Sequence, residues 1–79
     1  MEIRVVNLPT RFFPRDLAEI MVGRVFETTG ETKVAGEAGY GVRRPSLLSG
    51  LGVNNEELSR MYPANFVNAF IPKEFCELV

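Results

Sequence analysis

The residues best placed to do chemistry lie in one glycine-rich run, Gly36-Glu37-Ala38-Gly39-Tyr40-Gly41-Val42-Arg43-Arg44-Pro45-Ser46. Glycines bare their backbone amides, and Arg43 and Arg44 supply charge. A helix opening at Pro45 or Ser46 would add free N–H groups, so residues 36–46 can in principle cradle a small anion or a nucleotide phosphate. Tyr40 could stack on a base or ring. The run has neither a phosphate-loop lysine followed by a hydroxyl residue nor a GxGxxG after a strand. The plain alternative is a hairpin tip with solvated arginines.

A second cluster, Arg11-Phe12-Phe13-Pro14-Arg15, interleaves guanidinium groups with aromatic rings. Arginine and aromatic residues are enriched at protein interfaces, so Arg11, Phe12 and Phe13 on one side and Tyr40, Arg43 and Arg44 on the other are the expected contacts for a partner. The competing structural role is a connector whose phenylalanines plug the end of the core.

Leu47 to Arg60 forms a third constellation. Leu48, Gly52, Val53, Leu58 and the Ser59-Arg60 pair resemble a helix-turn-helix DNA-binding unit over residues 46–62. The resemblance rests on a glycine that lets the turn take a positive φ and on two apolar positions that pack the helices together. It implies a reading helix carrying Asn55, Glu56, Ser59 and Arg60. The sequence departs from that pattern where Leu48 replaces a small residue and where Gly50 interrupts the first helix. Glu56 and Glu57 would repel phosphates, and Arg60 alone offers little counterion release.

Catalytic chemistry is sparse. The chain has no histidine and one cysteine, which excludes histidine general bases, histidine triads and an intrachain disulfide framework. Glu56 and Glu57 are adjacent and point different ways on a helix, Asp16 and Glu19 suit a helix N-terminus, and Ser46 and Ser49 have no evident base. The residues suggest no enzyme activity, no metal and no cofactor.

These side chains hang on a small frame. The 79 residues are 46% hydrophobic, enough for one core, and nine basic against ten acidic residues leave a net charge of −1. That balance gives no general pull toward nucleic acid or an anionic membrane. Seven of the nine cations are arginine and nine of the ten acids glutamate. A domain of this size buries only about 60% of its unfolded surface, and with no disulfide or metal site the expected supplement is a partner, most simply a second copy of the chain. Glu2 and Arg4 interrupt the first apolar run, and no apolar stretch reaches membrane-spanning length. With the lone thiol of Cys76, these features predict a cytoplasmic protein.

Alternation predicts a strand over 1–8, ended by Pro9. Pro14, Asp16 and the stripe Leu17, Ile20, Met21 and Val25 predict a helix running to about Thr28. Gly23 inside it suggests close packing against another element. Thr32–Val34 and Tyr40–Arg43 predict a hairpin turning at residues 36–39. Helices follow over 46–51 and from an Asn54 cap to Met61, then a strand over 65–71 and a short tail. The order β-α-β-β-α-β predicts an α+β split βαβ, ferredoxin-like domain: one four-stranded antiparallel sheet, helices on one face, first and last strands adjacent. The expected activity is non-enzymatic: binding, and so regulating or inhibiting, a macromolecular partner, a protein before a nucleic acid. Length alone invites comparison with phage- or plasmid-type antagonists of host machinery.

Overall fold

The computed structural model describes residues 1–62 and 68–79. The α+β class is as expected, but the sheet is not. The strands form two three-stranded antiparallel sheets, ordered β2-β1-β6 and β3-β4-β5, instead of one of four strands.

The first strand, β1 (Glu2–Val5), places Ile3 and Val5 in the core with no exposed surface. Residues 6–13 lead to α1 (Arg15–Met21), which buries Leu17, Ala18 and Met21. This helix stops about two turns before the predicted end. Gly23 takes φ +85° with open space around it, so it ends the helix by reversing the chain and not by packing closely. Its N–H donates to the Val5 carbonyl at 2.7 Å, and the chain returns antiparallel to β1 as β2 (Val25–Glu27). Val25 therefore belongs to a strand, and Ile20, the other outlier of the apolar stripe, is exposed.

Two threonines carry the chain from one sheet to the other. The Thr28 N–H donates to the Met1 carbonyl at 2.9 Å, and the next N–H, of Thr29, donates to the Gly41 carbonyl at 2.9 Å. The buried Thr28 hydroxyl donates to the same Gly41 carbonyl at 2.6 Å. Such corners let a single strand serve two packed sheets. Strands β3 (Gly30–Val34) and β4 (Glu37–Arg43) form the expected hairpin, but it turns at Ala35-Gly36 and not at residues 36–39. Both turn residues have positive φ, 52° and 81°, which suits a tight two-residue loop.

Helices α2 (Arg44–Leu51) and α3 (Asn55–Met61) follow. The Asn54 side chain accepts from the Glu57 N–H at 2.8 Å while the Glu57 carboxylate accepts from the Asn54 N–H at 3.3 Å, completing the predicted cap. Of the predicted strand over 65–71, residues 65–67 lie outside the described residues; the rest is β5 (Asn68–Pro72), which pairs with β4. The tail is structured. A single 3-10 turn over Lys73–Phe75 leads to β6 (Cys76–Leu78), which pairs with β1 through Val5↔Cys76, Arg4↔Glu77 and Ile3↔Leu78. Thus β6, not β5, is the late strand beside β1. Ile3 and Val5 share a core with Ile71 across the two sheets.

One core fills the space between sheets and helices: Phe26, Tyr40, Val42, Leu47, Leu58, Ala69 and Ile71 join the residues from β1 and α1. Gly50 explains how α2 fits there. A β-carbon at Gly50 would overlap the Phe26 ring and crowd the Val25 carbonyl, so the glycine that weakens α2 as a helix lets it rest directly on β2. Among the described residues, no helix is long and apolar enough to cross a membrane.

Candidate functional site

The predicted contact residues do not form one surface. Phe13 and Tyr40 are each only 3% exposed. Phe13 packs on Tyr62 with ring centroids 5.2 Å apart, and Tyr40 points inward from β4, so both are core residues unavailable to a partner or base. Arg11 is engaged twice. Its guanidinium donates to both carboxylate oxygens of Glu37, at 2.6 and 2.8 Å, and to Glu74 at 2.7 Å. It thereby clips the connector after β1 to β4 and to the 3-10 turn.

Arg44 is also committed. Its Nε donates to the Asn55 side-chain carbonyl at 2.7 Å and one terminal nitrogen donates to the Ser59 hydroxyl at 2.9 Å, while the other terminal nitrogen is buried with no partner among the described residues. Burial raises the Tyr62 phenol's pKa, and the Arg44 charge opposes that rise. The phosphate-cradle geometry over 36–46 is not formed either, because residues 37–43 lie in the central strand between β3 and β5.

The α2–turn–α3 segment has the expected order, with Gly52 at φ +71° capping α2. The proposed reading residues are occupied within the chain. Asn55 and Ser59 hold Arg44, and Glu56 pairs with Arg60 at 2.9 Å. Among the described residues, this face offers DNA no unpaired cation, and Glu57 adds negative charge.

What remains open is the outer face of the β3-β4-β5 sheet. Tyr40 and Val42 point into the core, so Gly39, Gly41 and Arg43 point out. The register sets Thr32 beside Gly39, Phe70 beside Gly41 and Asn68 beside Arg43. Gly39 is buried under the Phe70 ring, and half-buried Gly41, beside the Thr29 hydroxyl, leaves a low point in the face. A groove of about 330 Å³ runs over Gly41 between Thr29, Thr32 and Val34 on one side and Asn68 and Phe70 on the other. Phe70 lies over Gly39, where a β-carbon would strike its ring, and Phe12 meets Phe70 edge-on at a centroid distance of 5.2 Å. Phe12 and Phe70 are half-buried and Val34 is 41% exposed, so the groove has an apolar wall. Arg43 is exposed beside the groove and forms no ion pair among the described residues.

Of the predicted contacts, then, Phe12 and Arg43 border the groove, Phe12 through Phe70 and Arg43 across the register from Asn68. Thr32, Val34, Asn68 and Phe70 do not stand out in the sequence. Only the placement of three non-consecutive segments side by side reveals them, although Gly39 and Gly41 two apart in a strand signal a bare face. A larger depression, about 550 Å³, lies between β2 and α2, but there Arg24 shares the walls with Glu2 and Glu27, and the α-amino group of Met1 holds Glu27 at 3.1 Å. Its mixed charges define no ligand. Compared with known proteins, the chain matches no family model, no curated protein and no solved structure.

Proposed function

We propose that the chain acts by binding and not by catalysis, gripping an acidic, extended segment of a protein partner on the outer face of β3-β4-β5 and so regulating or inhibiting it. One observation carries this: an apolar-walled groove over Gly41 lies beside Arg43, which stands across the register from the lining residue Asn68 and forms no ion pair among the described residues. Gly41 is half-buried and carries no side chain, so the groove floor stays low beside the Thr29 hydroxyl and lets a partner side chain enter. The wall of Phe70 and Val34 suits one apolar side chain, and the Arg43 fork suits a carboxylate beside it. A groove of this size takes one or two side chains, so affinity depends on a few well-placed groups.

The test is selection of random displayed peptides on the intact chain. Peptides pairing an acidic residue with an aromatic or aliphatic one are expected. Their amide chemical-shift changes should fall on 30–34, 39–43 and 68–70, and Arg43→Glu and Thr32→Arg should each weaken binding at least about tenfold, as losing a buried charge partner or blocking a hot spot does. Selected peptides that bind both variants as well as the parent chain, or a selection that enriches nothing, would refute the assignment.

A further inference from the structure

Among the described residues, strand β3 is an edge strand whose outer side is unpaired, and its five residues, Gly30-Glu31-Thr32-Lys33-Val34, are exposed except for a half-buried Gly30. We infer that this edge pairs with the same edge of a second copy, antiparallel and centred on Thr32, joining two three-stranded sheets into one of six.

Backbone geometry sets that register. The hairpin closes through a two-residue loop, so the flanking pair Val34–Glu37 is the hydrogen-bonded kind, and alternation turns the N–H and C=O of Glu31 and Lys33 toward the open edge. An antiparallel partner centred on Thr32 meets them with its own Lys33 and Glu31. Each copy thus offers two residues with free donors and acceptors, at the spacing the other copy needs.

The side chains agree with that register. Glu31 of one copy faces Lys33 of the other, twice over, and directly opposed opposite charges favour strand pairing. Lys33 has no ion pair among the described residues, whereas Glu31 already meets Lys73 at 3.1 Å and would lie between two lysines. A bond from Lys73 to Glu31 raises the Lys73 pKa, as expected where that cation has a firm anionic neighbour. On the other face Thr32 meets Thr32, and exposed Val34 of each copy covers the bare Gly30 of the other. A lysine on a sheet edge usually repels a second copy. Here the sequence answers it with a glutamate two residues earlier.

Two five-residue strands make an interface below the roughly 1,000 Å² of stable complexes, so association is weak and depends on concentration. Glu31 and Lys33 lie on the side of the sheet opposite the Gly41 groove. Thr32 and Val34 of the groove wall also face the second copy, so peptide binding is measured on the dilute, monomeric chain; charge reversals at Glu31 and Lys33 leave the groove side chains in place, and failure here leaves the proposed peptide binding intact.

Sedimentation equilibrium on the whole chain tests the inference. The parent chain is expected to dimerise reversibly below about 1 mM, a weak free energy of association. Lys33→Glu and Glu31→Lys each oppose like charges and should weaken self-association at least about tenfold. An equimolar mixture of the two variants restores both Glu–Lys pairs and should dimerise like the parent. Circular dichroism and unchanged peptide binding at the groove show that both variants remain folded. A parent chain monomeric at 1 mM, variants that dimerise unchanged, or a mixture that stays monomeric would each overturn the pairing.

Discussion

Gly50 of α2 lies against the ring of Phe26 on β2, closer than any side chain would allow. Helix propensity and packing therefore make opposite predictions for Gly50→Ala. Propensity alone stabilises by about 1 kcal/mol, while forcing a methyl into a filled site costs about 1–3 kcal/mol. Phe26 is only 1% exposed and Val25 backbone stands behind it, so the ring has little room to yield. The variant should unfold at a lower temperature by several degrees, and adding Phe26→Leu should recover part of the loss. Thermal unfolding by circular dichroism decides it. A Gly50→Ala chain as stable as the parent would mean that α2 does not rest on β2 through this glycine.

Arg44 holds α3 to the start of α2 through Asn55 and Ser59. Arg44→Ala and Asn55→Ala should therefore be non-additive, with a coupling of about 1 kcal/mol in a double-mutant cycle by urea unfolding. Arg44→Lys should not rescue, because a single ammonium lacks the fork that reaches two acceptors. Additive single losses would separate the two helices energetically.

Local signals in the sequence were sufficient where one segment decides its own structure. Asn54 with Glu57 marks the start of α3, Tyr62 before Pro63 marks its end, and Leu17 and Met21 mark the buried side of α1. Signals failed where a distant partner decides. Val25 continues the helical stripe by spacing, yet the ladder with Arg4 claims it as strand. Cys76–Leu78 has no strong strand pattern and becomes β6 because β1 offers an open edge seventy residues away. The single-sheet expectation fell with these two, since β2 and β6 together take both sides of β1. For the candidate site, Arg43 was legible as a charge beside glycines, whereas Tyr40, read as a contact, is core, and Phe13, offered both as a contact and as a plug for the core, takes the second role.

The Ala35-Gly36 turn offers a stabilising change. Both residues hold positive φ, which alanine tolerates poorly and asparagine well. Ala35→Asn should raise stability by about 0.5 kcal/mol, visible as a higher urea midpoint with an unchanged slope. An unchanged or lower midpoint would exclude a two-residue turn at this position and with it the β3–β4 register.

Burial pushes the Cys76 thiol up to about 11 from its ordinary 9.0, and its S–H donates to the Pro72 carbonyl at 3.5 Å. A thiolate is the reactive form, so the folded chain should react with a disulfide reagent at pH 8 far more slowly than the urea-unfolded chain. The same shift has a sign in stability. Between about pH 9 and 11 the folded state keeps a proton that the unfolded state has lost, so stability present below pH 9 declines as pH rises through that window. The raised Tyr62 phenol acts in the same direction. Cys76→Ala should flatten the decline without abolishing it, measured as the urea midpoint at pH 8, 9.5 and 11. A thiol modified at equal rates in native and unfolded chains, or a decline as steep in Cys76→Ala as in the parent, would show that Cys76 is not held against Pro72 at the junction of β6 and β1.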